Sequence, residues 1–96
     1  MCMLDEILAK RDELYEIARK HKAERLWVFG SCARKEERPD SDVDLLVKFN
    51  EGASLLDLVH IGNDVEKVVM RKVDVVSRRG LSPFLKDRIL GEAVAI

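Results

Sequence analysis

Gly30 and Ser31 are followed, after ten intervening residues, by Asp42, Val43 and Asp44. A glycine–serine turn that opens a helix offers unpaired backbone N–H groups and a hydroxyl, both suited to an anion such as phosphate. Two aspartates two apart on a strand project from the same face, about 7 Å apart at a rise of ~3.3 Å per residue. Their oxygens can share one magnesium ion or bridge two, and without a cation they repel each other. A phosphate cradle at one end and a divalent-cation site at the other is what transfer of a nucleotide from a triphosphate requires.

A third aspartate, Asp74, stands between Val73 and Val75 in a β-branched run. An unpaired carboxylate buried in such a strand is expensive, so the position calls for a counter-ion. A salt bridge to Arg71, Lys72 or Arg78 would supply one. A metal shared with Asp42 and Asp44 would also do so, and three strand-borne aspartates fit a two-metal site. Arg34 and Lys35, beside the turn, could neutralise phosphate, although a short exposed helix carries such charges anyway; Arg78 and Arg79 could meet a nucleotide or an acidic partner surface but read rather as a solvated turn. His21 and His60 have no partners at ligand spacing, and Cys2 and Cys32 form neither a disulfide framework nor a zinc pattern. Cys32 reads as a small packing residue, and Trp27, inside an apolar run, as part of the core.

These side chains need elements to hold them. Residues 4–21 carry Leu4, Ile7, Leu8, Leu14, Tyr15 and Ala18 at helical spacing, which predicts one amphipathic helix. Residues 26–29, Leu-Trp-Val-Phe, suit a strand buried on both faces and ended by Gly30. Ser31 is expected to cap a short helical segment to about Glu37, and Pro39-Asp40-Ser41 is turn chemistry. A second strand covers 42–49. Ser54 and Asp57 have the spacing of a capping box, opening a helix to about Met70 with Leu55, Leu58, Val59, Val65 and Val69 facing inward. Gly62 inside that helix costs ~1 kcal/mol relative to alanine, with no local reason for its presence. Residues 72–77 form a third strand, Ser82-Pro83 starts a final helix to about Leu90, and 94–96 add an edge strand. The short link between the first two strands permits an antiparallel pair. The expected fold is therefore α/β (α+β), one small domain over residues 1–96 with helices against a mixed β-sheet.

The chain has 96 residues, 47% of them apolar, enough for a small core and too many for a disordered segment. No apolar run approaches membrane-spanning length and no secretory h-region precedes Asp5 and Glu6, which points to the cytoplasm and away from membranes. A net charge of −1 argues against direct nucleic-acid binding, which would show as a basic surplus.

The arrangement of Gly30, Ser31, Asp42 and Asp44, with ARKEERPDSDVDLLV around it and RKVDVVS at the third strand, resembles the minimal nucleotidyltransferases of the DNA polymerase β superfamily. The resemblance covers nearly the whole chain. It implies a mixed-sheet nucleotidyltransferase fold in which Gly30 and Ser31 hold the triphosphate of ATP. By the same resemblance Asp42 and Asp44 bind two Mg2+ ions, and Asp74 completes one of those sites and assists deprotonation of the acceptor hydroxyl. Relatives often have glycine at position 35 and just before the Arg-Lys of the last strand, where this chain has Lys35 and Met70. In relatives of this size the partner is typically a HEPN-domain toxin, a ribonuclease, whose tyrosine receives AMP from the transferase acting as antitoxin. A chain this short has no room for an acceptor-binding domain, so the acceptor must bring its own surface, or a second copy of the chain (a homo-oligomer) must help form the pocket. The alternatives are an antitoxin that masks its partner by contact alone, and a transferase acting on a small molecule.

Overall fold

The computed structural model describes residues 3–36, 38 and 41–96. Helices α1 (Met3–Ala9) and α2 (Arg11–Lys20) lead into strand β1 (Ala23–Phe29). Strand β2 (Val43–Phe49), helix α3 (Leu55–Val69) and strand β3 (Val73–Ser77) follow. A 3₁₀ turn (Arg78–Gly80), helix α4 (Pro83–Glu92) and the two-residue strand β4 (Val94–Ala95) complete the order.

The sheet runs β3-β2-β1-β4. β1 is antiparallel to both β2 and β4, while β2 and β3 are parallel, so the sheet is mixed as expected. Its register pairs Phe29 with Asp44 across β1 and β2, and Asp44 with Asp74 across β2 and β3. Alternation along the strands then divides the two faces. Leu26 and Val28 of β1 and Val43, Leu45 and Val47 of β2 are buried in one core with Ile7, Leu14, Ala18, Ile61 and Val65 of the helices. The opposite face carries Asp44 and Leu46 of β2 beside Trp27 and Phe29 of β1. Leu46 is wholly buried there as the cross-strand partner of the half-buried Trp27.

Several local expectations need correction. The helix expected over 4–21 breaks at Lys10, whose φ of −103° and ψ of 17° leave the helical region. The Lys10 ammonium donates to the Val68 carbonyl of α3 at 2.9 Å, so the break ties two elements together. β1 begins three residues earlier than the apolar run, at Ala23. Within α3 the inward face is Ile61, Gly62, Val65 and Val69, whereas Leu55 is 76% exposed and Val59 also points out. The capping box is as expected, with the Ser54 N–H donating to Asp57 Oδ2 at 2.9 Å. Gly62 does have a reason, though not a local one. A Cβ there would lie 3.2 Å from Val75 Cγ2, so its absence lets α3 settle on β3.

Both positions where relatives favour glycine prove to be left-handed. Lys35 has φ 60° and Met70, the C-cap of α3, has φ 59°. Glycine adopts that region freely, and other residues do so at a cost of ~1 kcal/mol or more. The C-terminus is fastened through Tyr15, whose hydroxyl donates to the Ile96 carbonyl at 2.7 Å and accepts the Leu26 N–H at 3.3 Å. The Ile96 N–H donates to the Leu26 carbonyl, so β4, and with it the end of α4, is held against β1.

Candidate active site

Gly30 ends β1 with φ +74°, a conformation that favours glycine. The segment after it is a run of turns, not the short helix expected from Ser31. The Arg34 N–H donates to the Gly30 carbonyl at 3.2 Å and the Glu36 N–H to the Ser31 carbonyl at 2.8 Å, and the left-handed Lys35 prevents helical continuation. The segment expected to hold an anion is thus a bend and not a helix N-terminus. Among the described residues neither the hydroxyl nor the backbone N–H of Ser31 has a hydrogen-bond partner. Cys32 is buried as expected, its sulfur 3.9 Å from the Asp42 carbonyl, which pins the bend to the start of β2. Glu37, Pro39, Asp40 and Cys2, part of the expectations above, lie outside the described residues.

Asp44 faces this bend so closely that a Cβ on Gly30 would collide with its carboxylate. The carboxyl of Asp44 is pushed above its ordinary value, first by partial burial and then by the charges of Asp74, Asp42 and Glu92, with Arg34 acting in the opposite direction. The three aspartates singled out in the sequence therefore share one neighbourhood, with Asp44 at its centre. Asp74 differs from expectation in one respect. It is exposed, so its charge is tolerated by solvent and not by a counter-ion within a valine strand. The alternative, an ion pair of Asp74 with Arg71, Lys72 or Arg78, is not among the ion pairs of the described residues. Arg71 instead donates to the Arg38 carbonyl at 3.1 Å.

The donor set of Asp42, Asp44 and Asp74 is all carboxylate oxygen, the chemistry that hard divalent cations take. Mutual repulsion at Asp44 is what a cation would relieve. As their side chains stand, no three carboxylate, imidazole or thiol groups among the described residues are gathered closely enough to hold an ion.

Glu92, the last residue of α4, is a member of the site that sequence reasoning missed. One carboxylate oxygen accepts the Gly30 N–H at 3.2 Å and the other accepts Arg34 Nη1 at 2.8 Å. Arg34 Nε also reaches Glu36 at 3.2 Å, and these two hydrogen bonds raise the guanidinium pKa. The contacts to Glu92 span 62 and 58 positions in the chain, and no pattern in the sequence links them.

The other polar residues are structural. His21 pairs with Asp64 at 3.0 Å and its ring lies 5.4 Å from that of His60. A separate cavity of about 660 Å³ opens at the far end of β2, between Lys48, Leu55, Leu58, Arg79 and Lys86. None of the predicted site residues lines it. Two of its cations are already engaged, Lys48 with Glu24 at 2.8 Å and Arg78 over the Trp27 ring at 5.3 Å.

A mixed four-stranded sheet with a glycine–serine bend facing strand-borne aspartates defines a minimal nucleotidyltransferase fold. A solved structure described as a candidate minimal nucleotidyltransferase superposes with a TM-score of 0.87 at 43% identity, covering 100% of this chain and 97% of that one. The chain belongs to the nucleotidyltransferase domain family, whose pattern matches residues 8–96, and it is an enzyme of that type. Its relatives include the Methanocaldococcus jannaschii protein MJ0435, named as a candidate protein adenylyltransferase, 46% identical over 84 residues that cover 88% of this chain and 90% of that protein. The protein adenylyltransferase MntA of Thermococcus cleftensis is 33% identical over 93 residues, covering 88% of this chain and 94% of MntA. The fold is also that of a toxin–antitoxin complex solved with AMP-PNP, at a TM-score of 0.74 and 17% identity over 88% of this chain and 69% of that one. No helix among the described residues is long and apolar enough to cross a membrane.

Proposed function

We propose that this chain transfers AMP from ATP to a hydroxyl of a protein partner, with Gly30, Ser31 and Arg34 holding the phosphates and Asp42, Asp44 and Asp74 forming the catalytic wall. The observation that carries this reading is the position of Asp44, pressed against the Gly30 bend and raised in pKa first by partial burial and then by the charges of Asp74 and Asp42. Two magnesium ions on the three carboxylates would polarise the α-phosphate and neutralise charge on the departing pyrophosphate. The Ser31 hydroxyl and N–H, without hydrogen-bond partners among the described residues, take phosphate oxygens, and the Arg34 guanidinium spreads over another. Asp74, exposed at the edge of the site, is open to the incoming acceptor and takes the proton from its hydroxyl. The acceptor oxygen then bonds to the α-phosphorus as the bond from that phosphorus to the bridging oxygen breaks, releasing pyrophosphate.

A tyrosine of a HEPN-type toxin is the acceptor that fits best. One structure sharing this fold is a tri-AMPylated HEPN toxin bound to its MNT antitoxin, and the nearer relatives bear adenylyltransferase names. An antitoxin role in the cytoplasm follows from that reading. Incubating the chain with ATP, magnesium and a HEPN-type partner, then weighing the partner intact, tests it. Addition of AMP units supports transfer, and an unchanged mass with a stable complex would favour masking by contact alone. Pyrophosphate release with small hydroxyl compounds and no protein present would move the acceptor to a small molecule.

A further inference from the structure

We infer that Glu92 is an internal occupant of the phosphate site, a carboxylate that holds the place of a nucleotide phosphoryl group and must leave before ATP can bind. This rests on the reading of the Gly30–Ser31 bend as the phosphate cradle. The two oxygens of Glu92 engage one backbone N–H of the bend, that of Gly30 at 3.2 Å, and one guanidinium nitrogen of Arg34 at 2.8 Å. A pair of anionic oxygens bridging a bend amide and an arginine is the pattern one phosphoryl group presents to such a site. Glu92 thus satisfies both donors in this structure. A bound polyphosphate would meet a fixed negative charge at the place it needs. The charge of Glu92 is also felt at Asp44, so the same carboxylate adds to the repulsion among the aspartates.

Glu92 can leave by rotation of its own side chain while its backbone stays in place. The end of α4 is anchored through β4 and the buried Ile96, and release does not require the helix to shift. The Glu92 side chain itself is 24% exposed and can swing toward solvent. Glu92 is a positioning residue: it parks Arg34 and the Gly30 amide, and it sets how strongly a nucleotide is held.

The test is MgATP binding by calorimetry to the whole chain as wild type, Glu92→Gln and Glu92→Ala, with thermal unfolding recorded on each. Both variants are expected to bind MgATP at least tenfold more tightly, and in transfer assays to lower KM for ATP. A residue that only braces the end of α4 would change the unfolding temperature and leave affinity alone. Equal or weaker binding by the variants, with wild type binding MgATP, overturns the inference and leaves the proposed reaction standing. If none of the three proteins binds MgATP, the reading of the bend as a phosphate site fails and this inference falls with it. Arg34→Ala in the Glu92→Gln background should lose most of the gained affinity, because the freed guanidinium is what the phosphate captures.

Discussion

Replacing Gly30 with alanine should damage chemistry far more than folding. Two effects meet at this position. Holding a non-glycine residue at φ +74° costs ~1 kcal/mol. The added methyl would also strike the Asp44 carboxylate, with Asp44 Cγ 3.1 Å away, so that short side chain must leave its rotamer at a further ~0.5–1.5 kcal/mol. Gly52 provides the matched control. Its φ is +84° and nothing lies within 4 Å of where its Cβ would be, so Gly52→Ala carries the backbone cost alone. Urea unfolding should therefore place Gly30→Ala ~1 kcal/mol below Gly52→Ala and about 2 kcal/mol below wild type. AMP transfer should separate the two variants more widely. Displacing a reacting group by about 1 Å costs on the order of 10²-fold, so Gly30→Ala should lose at least that much in kcat/KM while Gly52→Ala stays near wild type. Near-wild-type transfer by a folded Gly30→Ala protein would refute the argument, because Asp44 would then not need the place it holds.

Met70→Gly should stabilise the fold by ~1 kcal/mol, raising the urea midpoint, since the α3 C-cap is left-handed at φ 59° and glycine adopts it freely. Asp44→Asn should stabilise the apo protein while abolishing transfer. Because the Asp44 carboxyl titrates above its ordinary 3.8 in the fold, its contribution to wild-type stability is complete below that value and is lost as pH rises through the raised one. The melting-temperature advantage of Asp44→Asn should thus be absent in strong acid, grow as pH climbs past the ordinary carboxylate range, and level off toward neutrality. Asp74→Ala should abolish transfer yet leave thermal stability within about 0.5 kcal/mol, because the side chain is exposed.

What the sequence makes legible here is local. The aspartate spacing, the apolar strand ended by Gly30, the Ser54–Asp57 box and the Ser82-Pro83 helix start each depend on residues within one turn or strand. Each reappears in the structure. The parallel register that sets Asp74 beside Asp44 follows from the third strand pairing with β2, and the family resemblance anticipated that neighbourhood. What was not legible depends on packing between distant segments. The face that α3 buries is decided by where it meets β3, and Gly62 under Val75 is the clearest sign of that. The turn after Ser31 departs from helix because Lys35 turns left-handed, which propensity gives no reason to expect of lysine. Glu92 escaped notice because only the folded chain brings the end of α4 to the Gly30 amide. The expected helix to Leu90 stopped two residues short of it.

The central claim is that magnesium and a nucleotide tail meet at Asp42, Asp44 and Asp74 beside the Gly30–Ser31 bend. Titrating the isotopically labelled chain with Mn2+ and AMP-PNP, and following paramagnetic broadening of backbone amides by NMR, tests it directly. The account predicts that broadening begins at residues 30–31, 42–44 and 74 and is lost in Asp44→Asn. Broadening centred instead on the acidic outer surface of α2, around Asp12, Glu13 and Glu16, with the aspartate strands untouched, would contradict it.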